Sequence, residues 1–241
     1  RCRTSMFMIL SSAYSDRKRN YDACVRNSPS LQAFEAVDAA AIGIDACRRI
    51  NESAWRVALN TESFVTSRFR GIPGKIGCNL SHQLLWVRLI ADADHDWYLI
   101  VEDDVLLNPS CTPAAIADIA RAADALGSSY VRIEQARPAM RGRQLAQKAL
   151  RRCGAGPLRE MVSQTGMAAY MLSKVGARAL LAIAPYDLPQ DMYFHRLEKT
   201  LKPIYLHSDL VVMCGANNAA DNCSMLGSII MRKAVREPSS S

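Results

Sequence analysis

Three consecutive acids, Glu102-Asp103-Asp104, interrupt a run of apolar residues. Trp97–Val101 lies directly before them and Val105–Leu107 directly after. Such a run predicts a strand buried on both faces of a sheet. Because an uncompensated buried charge costs several kcal/mol, we expect the acids at the end of the strand, facing a cleft. Carboxylates gathered there could bind a hard divalent cation; the alternative is a loop that merely contains acids.

Further polar residues follow the other predicted strands. Ser11, Ser12 and Arg17 come after the apolar run Met6–Leu10, and Asp38 ends a second predicted strand that begins at Leu31. In open α/β sheets, ligands bind beyond the carboxyl ends of the strands. Arg17 could therefore hold a phosphate or stack on a base, although it could equally cap a surface turn.

A glycine-rich bend, residues 70–79, leads into a helix predicted from Leu80 to about Ala91. Ser81 and His82 then fall in its first turn, where backbone N–H groups and the helix dipole favour an anion. A histidine at such a position is more often structural than catalytic, but the neighbouring glycines allow close backbone approach.

Strands alternate with helices along most of the chain, which predicts one α/β domain over residues 1–241 with a mainly parallel sheet. Helices are predicted from Thr112-Pro113 to about Leu126 and, capped by Ser173, from Lys174 to about Ile183. A late strand over 204–213 is interrupted near His207. The basic segment 137–160 is expected to be a mobile loop, and 236–241 a disordered tail.

The composition narrows the classes of function. Thirty Lys and Arg against 23 Asp and Glu give a net charge of +7, which suits a phosphorylated ligand or an anionic membrane face. No recognisable nucleic-acid motif accompanies the basic residues. The eight cysteines contain no Cys-x-x-Cys pair, which disfavours a zinc site and favours a reducing compartment. Signatures of phosphate loops, dinucleotide folds and serine hydrolases are absent from the sequence. Metal-assisted chemistry on a diphosphate-bearing donor remains.

Several short motifs, in order along residues 9–191, resemble glycosyltransferase family 25, the lipooligosaccharide-biosynthesis transferases to which procollagen galactosyltransferases are related. From the N-terminal side onward they are Asp16-Arg17, Phe34–Asp38, Gly77-Cys78-x-x-Ser81-His82, Leu99-Ile100-Val101-Glu102-Asp103-Asp104, Thr165-Gly166 and Pro189-x-Asp191. The resemblance implies a GT-A-type α/β/α sandwich and an inverting transferase that uses a UDP-sugar, usually UDP-galactose.

The resemblance also implies roles for individual residues. Asp104 would bind Mn²⁺ or Mg²⁺ directly, Glu102 would lie on the ribose or a metal-bound water, and Asp103 would support the turn. His207 is a candidate further metal ligand. Asp191 would be the general base, although from the sequence alone it could be a plain helix cap. Ser11, Ser12 and Arg17 would border the uridine, and Asp38, Ser81, His82 and Thr165 complete the expected substrate site.

The expected partners are a UDP-sugar donor and an oligosaccharide or lipid-linked saccharide acceptor, in a cytoplasmic protein that could contact the inner membrane face. One alternative is a non-catalytic relative that binds a nucleotide sugar or glycan. A second is a basic module that binds nucleic acid or a membrane surface.

Overall fold

The computed structural model describes residues 2–43, 45–47, 73–134, 168–183, 194, 197–208 and 210–213. The basic segment 137–160, the tail 236–241, Thr165 and Asp191 lie outside these residues. The single-domain organisation, the mobile loop and the disordered tail therefore stay predictions.

The described strands are β1 (Thr4–Leu10), β2 (Leu31–Glu35), β3 (Trp97–Glu102), β4 (Val105–Leu107), β5 (Tyr130–Glu134), β6 (Ala169–Ser173), β7 (Ile204–His207) and β8 (Val211–Met213). Six of them form one sheet in the order β2-β1-β3-β6-β5-β7, and β4 pairs with β8. β1 is parallel to β2 and β3, β5 is parallel to β7, and β6 runs antiparallel to β3 and β5. The prediction of a mixed α/β fold with a mainly parallel central sheet is confirmed.

The described helices are α1 (Ser15–Asn27), α2 (Ala39–Ile42), α3 (Pro73–Ala91), α4 (Pro113–Ala125), α5 (Lys174–Leu181) and α6 (Glu198–Leu201). The predicted cap Ser173 is confirmed, because it accepts a hydrogen bond from the backbone N–H of Gly176. The helix start predicted at Thr112-Pro113 is also confirmed, and there Thr112 accepts a hydrogen bond from the backbone N–H of Ala115. None of the helices within the described ranges is long and apolar enough to cross a membrane.

β3 lies between two apolar layers. Trp97, Leu99 and Val101 belong to a core that also holds side chains of α1 and α4. Tyr98 and Ile100 belong to a second core that holds side chains of α3 and α5. Because successive strand residues point to opposite faces, this division places helices on both sides of the sheet. The buried character predicted for Trp97–Val101 is confirmed.

The segment 204–213 is two strands in different sheets. β7 pairs with β5 at the edge of the large sheet, whereas β8 pairs with β4, with Leu107 opposite Val211. The predicted interruption thus corresponds to a change of sheet.

The predicted start of the helix at Leu80 is wrong. α3 begins at Pro73, so Gly74 and Gly77 are helical, and Ser81 and His82 lie well past the first turn. A Cβ atom added to Gly77 would stand 2.1 Å from the carbonyl oxygen of Val37. The glycine therefore lets α3 pack closely on the segment after β2, and the proline occupies a position that helix starts tolerate.

Candidate functional site

The carboxylate turn, which we define as Glu102-Asp103-Asp104, connects β3 to β4. Glu102 is the last residue of β3 and lies opposite Ile9 of β1. Because β1 and β3 are parallel, Ser11 and Ser12, which follow β1, lie at the same end of the sheet as the three acids. The predicted position of the acids at a strand end is confirmed.

Asp103 is held by residues that follow β1. Its Oδ1 lies 3.0 Å from an Arg17 nitrogen, and its Oδ2 accepts a hydrogen bond of 3.1 Å from the backbone N–H of Ser11. The side-chain amide of Asn20 donates to the backbone carbonyls of Asp103 and Val105. Arg17 therefore forms an ion pair with the carboxylate turn, and Asp103 ties that turn to the end of β1.

Asp104 differs from Asp103 in its hydrogen bonding. Its Oδ1 is buried and has no hydrogen-bond partner among the described residues. Burial raises the pKa of Asp104 to about 6, and the nearby Glu102 contributes, while Arg17 acts in the opposite direction. A buried carboxylate oxygen that no described residue satisfies fits a cation from outside the chain.

His82 lies behind the carboxylate turn and is almost fully buried, with 1% of its surface exposed. Its Nε2 is 3.4 Å from Oε1 of Glu102, and its Nδ1 is 2.7 Å from the hydroxyl of Tyr170. That hydroxyl also accepts a hydrogen bond of 2.9 Å from the indole of Trp86. Burial alone would lower the pKa of His82, but Cys78 and Glu102 outweigh it and raise that pKa to about 9.

Cys78 lies one helical turn before His82 on α3. One ligand atom from each of Cys78, His82 and Glu102 lies within 4.8 Å of the others, an arrangement that could hold a metal ion. We call these three residues the thiol–imidazole cluster. Glu102 belongs both to this cluster and to the carboxylate turn.

The other predicted site residues have structural contacts. Ser12 donates hydrogen bonds from its backbone N–H and hydroxyl to Glu35, the last residue of β2. Asp38 does not end a strand; it caps α2 by accepting from the N–H groups of Ala40 and Ala41. Ser81 donates to the carbonyl of Gly77 and accepts from the N–H of Val37. Ser81 and His82 thus do not form the anion site expected of a first helical turn.

Three predicted residues keep their status as predictions. Thr165 and Asp191 lie outside the described residues, as does the side chain of His207. The backbone of His207 ends β7, which is separated from β3 by β6 and β5.

The sequence analysis assigns no role to four residues that contribute to this site: Asn20, Glu35, Cys78 and Tyr170. The spacing of four residues between Cys78 and His82 is a usable signal, because residues i and i+4 share one face of a helix. Nothing in the sequence indicates that Tyr170, 88 residues away, bonds His82.

The family model described as glycosyltransferase family 25 (LPS biosynthesis protein) matches residues 10–194. No curated protein sequence gives a significant match.

Two solved structures are similar to the chain at low identity. One is a glycosyltransferase involved in the glycosylation of the major capsid of PBCV-1, with a TM-score of 0.45, 10% identity, and coverage of 96% of this chain and 100% of the other. The second is A197 from STIV, with a TM-score of 0.42, 13% identity, and coverage of 86% and 82%.

The family match covers most of the chain and includes every predicted site residue except His207. Membership makes the protein a glycosyltransferase of glycan biosynthesis, and it implies a nucleotide-sugar donor and a saccharide acceptor. The chain belongs to glycosyltransferase family 25.

Proposed function

We propose that this protein is an inverting, metal-dependent transferase that moves a sugar from a UDP-sugar to a hydroxyl of a saccharide acceptor in lipopolysaccharide or lipooligosaccharide synthesis. The proposed donor is UDP-galactose, which would make the enzyme a β-galactosyltransferase. The observation that carries the proposal is made on Asp104 of the carboxylate turn: its Oδ1 is buried and has no hydrogen-bond partner among the described residues.

The proposed cation is Mn²⁺ or Mg²⁺, because hard divalent cations prefer oxygen ligands. Asp104 would bind it directly and Glu102 would bind it or a water on it, with His207 as the proposed further ligand. When bound, the ion would neutralise the charge that develops on the diphosphate leaving group.

The donor is proposed to lie across the ends of β1 and β3. β2 lies on one side of β1 and β3 on the other, so the chain changes direction across the sheet at β1. Ligands of open α/β sheets bind at such a switch point, beyond the carboxyl ends of the strands. Ser11, Ser12 and Arg17 would therefore border the nucleotide, with Asp103 holding Arg17 in place.

The acceptor is proposed to approach from the side of Asp191. Its hydroxyl oxygen would form the new bond to the anomeric carbon as the bond from that carbon to the diphosphate oxygen breaks, which inverts the configuration. Asp191 would take the hydroxyl proton, because a positioned carboxylate is a suitable general base. Thr165 would contact the substrate beside it.

Release of nucleotide from UDP-galactose, UDP-glucose, a GDP-sugar and a CMP-sugar tests the proposal, measured with Mn²⁺ and with a chelator. We expect turnover of UDP-galactose that needs Mn²⁺ and increases when a galactose-accepting oligosaccharide is present. Equal turnover with chelator would reject the metal, and turnover of the GDP- or CMP-sugar alone would reject the donor. Binding of UDP-sugars without turnover would favour the non-catalytic alternative.

The variant Asp191→Asn distinguishes a role of Asp191 as general base from a structural role. We expect this variant to lose turnover while keeping its affinity for UDP, because the amide cannot accept the acceptor's proton. Loss of both turnover and UDP affinity would instead indicate a structural role.

A further inference from the structure

The thiol–imidazole cluster lies apart from the groups that the proposed transfer uses, except for Glu102. Cys78 and His82 project from one face of α3, and Glu102 closes the group from the end of β3, with ligand atoms within 4.8 Å of one another. His82 is 99% buried, and its Nε2 has no hydrogen-bond partner in the described part of the chain. A buried imidazole nitrogen without a hydrogen bond, close to a thiol and a carboxylate, is therefore available to bind a ligand.

We propose that Cys78, His82 and Glu102 form a second cation site, selective for a thiophilic divalent ion of the Zn²⁺ class. A thiolate, an imidazole and a carboxylate are the three kinds of protein ligand that Zn²⁺ takes, whereas Mg²⁺ and Mn²⁺ favour oxygen. Three protein ligands leave a fourth tetrahedral position for water or another ligand. Among the described residues, Cys78 is exposed to solvent, which gives an ion a route to the cluster.

The surroundings of His82 suit a metal ligand. Nδ1 of the imidazole is 2.7 Å from the hydroxyl oxygen of Tyr170, which can accept a hydrogen bond from Nδ1–H, so the ion would replace the proton on Nε2. The indole of Trp86 donates to the same oxygen, and the rings of His82 and Tyr170 are stacked at 5.6 Å. Partners of this kind fix the orientation of a ligating histidine.

The shared residue couples the two sites. Oε1 of Glu102 faces His82, so an ion in the thiol–imidazole cluster would hold this oxygen beside His82 and restrict the reach of Glu102 toward the first ion. We therefore expect Zn²⁺ to compete with the proposed Mn²⁺ or Mg²⁺ for Glu102, and to reduce any Mn²⁺-dependent turnover.

Titration of the reduced protein with Co²⁺ tests the site, because Co²⁺ bound by a thiolate has a charge-transfer absorption band. We expect a band that saturates at one Co²⁺ per chain, is displaced by Zn²⁺, and is absent from Cys78→Ser. Cys2→Ser is the matched control, since Cys2 is a partly exposed thiol that precedes β1 and does not belong to the cluster, and it should keep the band. Glu102→Gln should weaken Co²⁺ binding by about 10-fold or more.

A band of full intensity in Cys78→Ser would overturn the proposal, as would the absence of any Co²⁺ or Zn²⁺ binding by the wild-type protein. The proposal does not rest on the assigned donor or reaction. Asp104→Asn separates the two, because it should keep the cobalt–thiolate band even if it abolishes transfer.

Discussion

Asp92 and Asp104 lie near opposite ends of β3, and their carboxyl groups meet opposite surroundings. Asp92 accepts hydrogen bonds from the Tyr98 hydroxyl at 2.6 Å and from the backbone N–H groups of Asp94 and His95. Oδ1 of Asp104 is buried and accepts none from the described residues. A carboxylate whose bonds are supplied by its own chain stabilises the fold, whereas one left unsatisfied is available to a ligand.

The pKa values follow the same division. Burial alone would raise the pKa of Asp92, but the hydrogen bonds, foremost that from Tyr98, hold it well below its ordinary value. For Asp104, burial and the charge of Glu102 raise the pKa to about 6. The two acids should therefore respond to the same substitution in opposite ways.

The largest effect is expected from Asp104→Asn. If Asp104 binds the cation, the amide should reduce Mn²⁺-dependent transfer by about 10²- to 10³-fold, a loss comparable to that of one electrostatic contact to a transition state. The thermal midpoint of the metal-free protein should not fall, because a buried charge without a partner is removed.

Asp118→Asn is the matched control for both acids, since Asp118 forms an exposed pair with Arg121 on α4. It should keep transfer activity and stability close to those of the wild type. Wild-type turnover in Asp104→Asn would remove Asp104 from the proposed site and would break the contrast with Asp92.

The second effect is expected at Asp92. Asp92→Asn replaces an ionised acceptor of several hydrogen bonds, so it should lower the free energy of unfolding by about 2 kcal/mol. Transfer activity per folded molecule should not change, because Asp92 lies away from the carboxylate turn. Urea unfolding together with a transfer assay measures both quantities.

The contribution of Asp92 to the free energy of unfolding should depend on pH. Because the pKa of Asp92 is lower when folded than its ordinary value of 3.8, its contribution is complete above that value and is lost as the pH falls further. The difference in stability between wild type and Asp92→Asn should therefore shrink on acidification from pH 5 to about 2. A constant difference over that range would show that the ionised form of Asp92 is not what stabilises the protein.

Sequence patterns predicted the mainly parallel sheet and the starts of α4 and α5 because these depend on local features. The apolar run Trp97–Val101 and the caps Thr112 and Ser173 are each contained in a few residues. The start of α3 was not predictable in this way, because Pro73 and Gly77 indicate a bend unless the close contact with Val37 is known.

The site was predictable only in part for the same reason. The acids of the carboxylate turn are adjacent in sequence, so their position followed from β3. The partner of Asp103 comes from 86 residues earlier, and the contact of His82 with Glu102 depends on how α3 packs on the sheet. Such contacts are set by tertiary packing, which local periodicity does not encode.

The smallest effect is expected from Arg17, whose ion pair with Asp103 keeps the carboxylate turn attached to the end of β1. Arg17 and Asp103 have side-chain exposures of 32% and 18%, so solvent screens this pair only partly. Arg17→Gln should lower the free energy of unfolding by about 1 kcal/mol. Arg121 forms an exposed pair with Asp118, so Arg121→Gln should change the free energy of unfolding by less than about 0.5 kcal/mol.

The same two variants, compared by urea unfolding and by UDP titration, show whether Arg17 has a second role. If Arg17 also borders the nucleotide, Arg17→Gln should weaken UDP binding by about 10-fold, because a charged hydrogen bond is lost, whereas Arg121→Gln should leave it unchanged. Reduced stability with unaltered UDP affinity would make the ion pair purely structural. Asp103 would then belong with Asp92 as an acid that the fold satisfies, and Asp104 and Glu102 would remain for the ligand.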